Sequence, residues 1–209
     1  MNKITKIKTS GLLAFASVAF FFQPAEAKAH NHGGESSDEE VREHYKIDPV
    51  HSSVDFRVRH FVNRVSGRFG EFSGDLHIDR ENLENSSAEV TIQVASIDTN
   101  NSDRDDHLRS DDFFDAENYG EITFVSTSWE DQGEDRFHIT GDLTIHGTTR
   151  EVTLEAELLG FGEGRGDIYL TGWEASTQID RTDYGVSYGT PAIGSTVDII
   201  ISVQAHLQD

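Results

Sequence analysis

The densest chemistry in the chain lies between Ser96 and Phe124, SIDTNNSDRDDHLRSDDFFDAENYGEITF. Asp103, Asp105, Asp106, Asp111 and Asp112 crowd into it, with Arg104 and His107 among them. Carboxylates at this density can bind calcium, but an EF-hand loop needs Gly at its sixth position and Glu at its twelfth. Counting from Asp103, those positions hold Leu108 and Phe114, so the signature fails and no metal site is assigned. Acids at the start of a helix, where they complement the dipole, explain the spacing better. A nucleophile elbow, a zinc-protease H-E-x-x-H and a phosphate loop are all missing. His51, His107 and His146 remain as candidate acid–base groups, because histidine titrates near neutrality. No nucleophile–base–orienter set is readable around them.

A second cluster is cationic. The stretch from Phe56 to Gly70, FRVRHFVNRVSGRFG, carries Arg57, Arg59, Arg64 and Arg68 and no acid. The whole chain has a formal charge of -21, and removing the three lysines and one glutamate of residues 1–27 leaves -23. Arginines so placed suit an anionic headgroup, since the guanidinium matches phosphate geometry. Pairing with neighbouring acids is the competing reading. The overall acidity keeps the chain soluble and repels phosphate backbones, so nucleic acid is not an expected partner.

The elements that must position these groups are strands. Val54, Phe56 and Val58 alternate with polar residues, as do Leu76 and Ile78, Val90 to Val94, and Ile122 and Phe124. Leu143 and Ile145, Val152 to Leu158, Ile168 and Leu170, and Val197 to Val203 follow the same rule. Period-two alternation in eight segments predicts antiparallel strands with one buried face. Turns are placed at Asp131–Glu134, His146–Thr148 and Gly160–Gly164. Eight antiparallel strands lose their exposed edges by closing into a barrel, and such a barrel can hold side chains or one small ligand. A sandwich would satisfy the same alternation. One helix interrupts the strands, over residues 102–110, with Ser102 as its cap and Arg104, His107 and Leu108 on one side.

The N-terminus reads as a targeting signal. Lys3, Lys6 and Lys8 precede an apolar run from Gly11 to Phe22, and Ala25-Glu26-Ala27 provides a cleavage site. The run is too short to span a bilayer, which takes about 20 apolar residues. Residues 1–27 are thus expected to be a signal peptide, and 28–44 a disordered polar leader. Residues 45–209 form the domain. His30, Asn31, His32 and His44 in the leader suggest weak metal buffering as a minor possibility. The chain has no Cys, so neither a lipid anchor nor a disulfide is available.

Five stretches in order resemble the YceI family of exported proteins. These are Tyr45-Lys46-Ile47-Asp48-Pro49-Val50-His51-Ser52, the Gly67 to Gly74 segment GRFGEFSG, Ser96 to Phe114, Gly141 to Gly147, and Ile179 to Gly185. Gly67 to Gly74 resembles that family's hairpin. Tyr119-Gly120 departs from the pattern, which usually has a Pro after the aromatic residue. The resemblance implies an all-β, antiparallel, eight-stranded, lipocalin-like barrel that binds a polyisoprenoid in an apolar cavity.

On that footing Phe56, Phe61, Phe69, Phe113, Phe114, Phe124, Trp173 and Tyr184 are the expected ligand-binding residues. Arg64, Arg104, His107 and Arg181 are the candidates for a polar head, although Arg104 and Arg181 have acids beside them and would equally staple the helix to the barrel. The expected role is periplasmic binding and transport of an isoprenoid or similar lipid, without catalysis, cofactor, metal or stable membrane insertion. An isoprenoid quinone is an acceptable ligand, and a homodimer is left open. The alternatives are an enzyme acting on isoprenoids or quinones, and an exported stress or metal-buffering protein. Ser96 to Phe124 is expected to be a lid, with Phe113 and Phe114 facing the cavity.

Overall fold

The computed structural model describes residues 42–208. The expected signal peptide, residues 1–27, and residues 28–41 of the expected leader lie outside them. Strand β1 (Glu43–Ile47) already includes Glu43 and His44, so the sheet begins two residues before the expected boundary. His44 is spent there on Asp75, with Nε2 2.7 Å from the carboxylate.

The remaining strands are β2 (Ser53–His60), β3 (Asn63–Phe69), β4 (Phe72–Ile78), β5 (Ser87–Gln93), β6 (Ile97–Asp98), β7 (Glu121–Gly133), β8 (Arg136–Ile145), β9 (Thr148–Glu163), β10 (Tyr169–Asp180) and β11 (Ile193–Leu207). The helix is α1 (Ser102–Arg109). Three pairs of strands are single staves bent in the middle. β11 pairs with β1 and with β2, β4 pairs with β1, and β3 pairs with β2. In the same way β5 pairs with β4, and β6 with β3. Counted as staves, the barrel has eight antiparallel members and closes through the β1–β11 pairing.

Alternation explains the closure. In β8, Phe137, Ile139, Leu143 and Ile145 are buried, while the residues between them face outward or are half-buried. Burying such a side chain contributes roughly 1.5–3 kcal/mol. Gly141 completes the inward row because nothing larger fits. A Cβ there would lie 2.5 Å from the Val125 carbonyl oxygen and 2.6 Å from the Phe124 ring.

Several local expectations shift. Gly67 to Gly74 is not a hairpin but the bend joining β3 to β4. The hairpin turn lies at Phe61 and Val62, between His60 and Asn63. The turn expected at 131–134 falls at Glu134–Asp135, both at positive φ, and the one expected at 160–164 falls after Glu163. The His146–Gly147 turn is where the sequence places it. Asn101, not Ser102, caps α1, accepting from the Arg104 backbone N–H at 2.9 Å. Asparagine accepts as well as serine, and placing it one residue earlier leaves Ser102 free to enter the first turn.

Candidate functional site

The inward faces of the staves do not meet on the barrel axis. They enclose a cavity of about 440 Å³, within the range of small-molecule sites. Aliphatic side chains from all around the barrel form its wall, among them Leu76, Ile92, Ile122, Leu143, Val152 and Ile199.

One end is closed by aromatic rings. Trp129 and Trp173 meet edge to face with centroids 5.3 Å apart, and Phe137 lies 5.7 Å from Trp173. The indole N–H of Trp173 is buried without an acceptor, surrounded by these rings. Beyond them Tyr45 is wholly buried and donates its hydroxyl to Glu43 at 2.6 Å. Burial and that carboxylate raise its pKa above the ordinary phenol value.

The other end is the polar one. It carries α1, the Phe61–Val62 turn, the His146–Gly147 turn and the segment joining β10 to β11. Arg104, His107 and Leu108, on one side of α1, all line the cavity. Arg104 is tied to its own helix base, donating through Nε to Thr99 Oγ1 and through Nη2 to Thr99 O, both at 2.7 Å. Asp105 is buried and accepts from the Thr99 backbone N–H and hydroxyl. Asp106 pairs with Arg109, and Asp112 with His107 at 2.8 Å. Three of the five acids in this run are therefore spent on holding the helix down.

Phe113 and Phe114 fold beneath α1. Phe113 is buried with its centroid 5.0 Å from His107 and 5.1 Å from Tyr188, and Phe114 packs on Phe69 at 6.2 Å. Tyr188 reaches His107 from the β10–β11 segment, so α1 and that segment meet at this end of the cavity.

Arg181 shapes that second side. It is only 7% exposed, and its guanidinium donates to the carbonyls of Val186, Tyr188, Ile193 and Gly194 at 2.5 to 3.1 Å. Desolvation lowers its pKa from the free value, opposed by nearby Asp180. Asp180 accepts from the Thr182 hydroxyl and backbone N–H and from Ser195, and these bonds hold its carboxyl below the usual range.

Of the residues expected to bind ligand, Phe56, Phe69, Phe113, Phe114, Phe124, Trp173 and Tyr184 line the cavity. Phe61 does not. It is 62% exposed in the β2–β3 turn at φ 50°, with its ring against His60. Of the four head-group candidates, Arg104, His107 and Arg181 reach the cavity, and Arg64 does not. Arg64 is exposed on the outer face and paired with Asp198. Strand parity accounts for both: the inward set of β2 is Val54, Phe56 and Val58, and that of β3 is Val65, Gly67 and Phe69, so positions 61 and 64 fall outside it. The proposed acid–base histidines are scattered. His51 is bonded to Asp48 at the β1–β2 break, and His146 packs against the tilted ring of Tyr119 at the β8–β9 turn, leaving His107 of these three at the cavity. Trp129, Tyr188 and His60 also line the cavity, although none was among the expected ligand-binding residues. Strict parity from Ile122 and Phe124 would turn Trp129 outward, and the bulge between Ser126 and Ser128 is what brings it in, whereas Tyr188 sits in a segment without periodicity.

The YceI-like domain family matches residues 45–205. The Escherichia coli protein YceI is 39% identical over 176 residues, covering 83% of this chain and 92% of its own. The crystal structure of Burkholderia cenocepacia BcnA superimposes with a TM-score of 0.70 at 26% identity, over 76% of this chain and 98% of that one. A domain of Saccharophagus degradans described as polyisoprenoid-binding shares the fold at a TM-score of 0.62 and 17% identity, over 78% of this chain and 98% of that one.

Proposed function

The chain belongs to the YceI-like family, and on that premise we propose that it is an exported carrier of a long isoprenoid chain. The observation that carries this reading is the cavity itself: a predominantly apolar chamber with an aromatic floor, and most of its charged groups at the α1 end. Each CH₂ removed from water contributes about 0.8 kcal/mol, so a tail filling the chamber supplies its own driving force. Aliphatic and aromatic walls select for length and bulk rather than for polar detail.

The head of the ligand would lie under α1, beside Arg104 and His107. Both side chains combine exposure to solvent with a place in the cavity lining. Arg181 contributes less directly, because its donors are spent on four carbonyls of the β10–β11 segment. The name of the Saccharophagus domain supports an isoprenoid over other lipids. The signal-like N-terminus supports the periplasm as the place of action. A binding role is favoured over catalysis because the three candidate histidines lie apart and the cavity wall is almost wholly apolar.

Both tryptophans of the chain line the cavity, so intrinsic fluorescence reports directly on its contents. Titration with an isoprenoid quinone should quench that emission saturably, with no effect from a short polar quinone. Emission indifferent to both ligands would contradict the reading.

A further inference from the structure

The rim of the cavity is electrically divided. On the α1 side lie Asp103, Asp106, Asp111, Asp112, Asp115 and Glu117. The opposite side is built from the β2–β3 tip, Arg59-His60-Phe61-Val62-Asn63-Arg64, and from residues 185–195, GVSYGTPAIGS. In a chain with 38 acidic residues, these two segments contain none. They touch each other, the Phe61 N–H donating to the Ala192 carbonyl at 2.8 Å.

The acid-free side is also apolar where it projects. Val62 is fully exposed, and Phe61 and Tyr188 are 62% and 46% exposed. Arg57 and Arg59 point outward along β2 and make no ion pair among the described residues. Arg64 stands opposite Arg59 across the ladder, paired with Asp198. Like charges placed directly opposite are destabilising in a sheet; Asp198, opposite Arg57 in β11 and paired with Arg64, offsets part of that cost, and Arg59 has no such acid among the described residues.

We propose that the β2–β3 tip is a docking surface for an anionic lipid bilayer. Phe61 and Val62 enter the interface while Arg57 and Arg59 meet lipid phosphates. The chain as a whole is repelled by such a surface, so attachment has to be local and oriented. With the tip down, the acidic α1 side is turned away from the lipid, and the cavity mouth sits beside the bilayer. The surface is peripheral and reversible: among the described residues no helix is long and apolar enough to cross a membrane. Docking does not depend on what the cavity holds.

The test is co-sedimentation of the processed chain with vesicles of mixed phosphatidylglycerol and phosphatidylcholine, against pure phosphatidylcholine vesicles. Binding is expected to the mixed vesicles alone and to weaken with added salt. An arginine near an anionic surface is worth about five-fold in affinity, so the Arg57→Gln, Arg59→Gln double variant should bind roughly ten-fold or more weakly. Val62→Ser should weaken binding too, and Leu159→Ser, exposed on β9 away from the tip, should not. Absence of binding, equal binding to both vesicle types, or equal loss in the Leu159 variant would overturn the proposal. It would equally be overturned if the tip proved to bury itself against a second copy, seen as a dimer that Val62→Ser dissolves without vesicle binding.

Discussion

His107 and Tyr188 meet edge to face with their ring centroids 5.0 Å apart, joining α1 to the β10–β11 segment across the mouth of the cavity. Phe113 completes the contact from below. The two segments come from different sides of the barrel, so a ligand entering at this end would pass this three-ring contact.

Aromatic pairs of this kind contribute about 0.5–1.5 kcal/mol each beyond their buried area. Tyr188→Ala should therefore speed release of bound isoprenoid by about three- to ten-fold, measured by stopped-flow tryptophan fluorescence. Replacing Phe113 and Phe114 together by Ala should empty the cavity while the strand signal in circular dichroism is kept. Unchanged release in both variants would reduce the lid to a plain connection.

Arg181 predicts a stability effect without a chemical one. Arg181→Met leaves the carbonyls of Val186, Tyr188, Ile193 and Gly194 without their donor. Unsatisfied buried acceptors are costly, and the expected loss is about 2–4 kcal/mol in urea denaturation. Arg181→Lys should recover little, because a compact ammonium cannot reach four acceptors spread around a planar fork.

The same segment sets an acid limit. Hydrogen bonds from Thr182 and Ser195 depress the pKa of Asp180 in the folded state. A depressed carboxylate stabilises the fold fully above its unfolded pKa, about 3.9, and that contribution is lost as pH falls through the folded value. Asp180→Asn should therefore be less stable than the parent at pH ~7, and the gap should narrow below about pH 4. Urea midpoints across that range give the comparison.

Gly141 tests the packing of the wall. Gly141→Ala places a methyl against the Val125 carbonyl and the Phe124 ring. Overpacking of this kind costs about 1–3 kcal/mol. Because Phe124 lines the cavity, relief by moving its ring inward should also reduce isoprenoid capacity, detectable in the same fluorescence titration.

The barrel was legible because alternation survives in every stave, and β8 shows it with hardly a break. The bends were not. Gly67 to Gly74 is expected to be a hairpin and Val94 to continue its strand, yet both places are bends, with the pairing on either side continuing along the same neighbours. Helix α1 was legible from its acids and its Arg104, His107, Leu108 face. Phe61 and Arg64 were misplaced because residue type was weighed over strand parity. The hollow interior was implied by the family resemblance alone and not by the residue pattern. Alternation says which side chains face inward, but not whether they meet on the axis, and that depends on the closure and curvature of eight staves together.

An isoprenoid carrier must hold a lipid in this chamber. Native mass spectrometry of the protein, purified gently from its own cell envelope, measures this directly. The predicted result is a complex whose released ligand fragments in isoprene steps, and which is lost when the cavity is filled by Leu143→Trp. A clean mass for the unliganded chain, with no isoprenoid in the extract of a correctly folded sample, would contradict it.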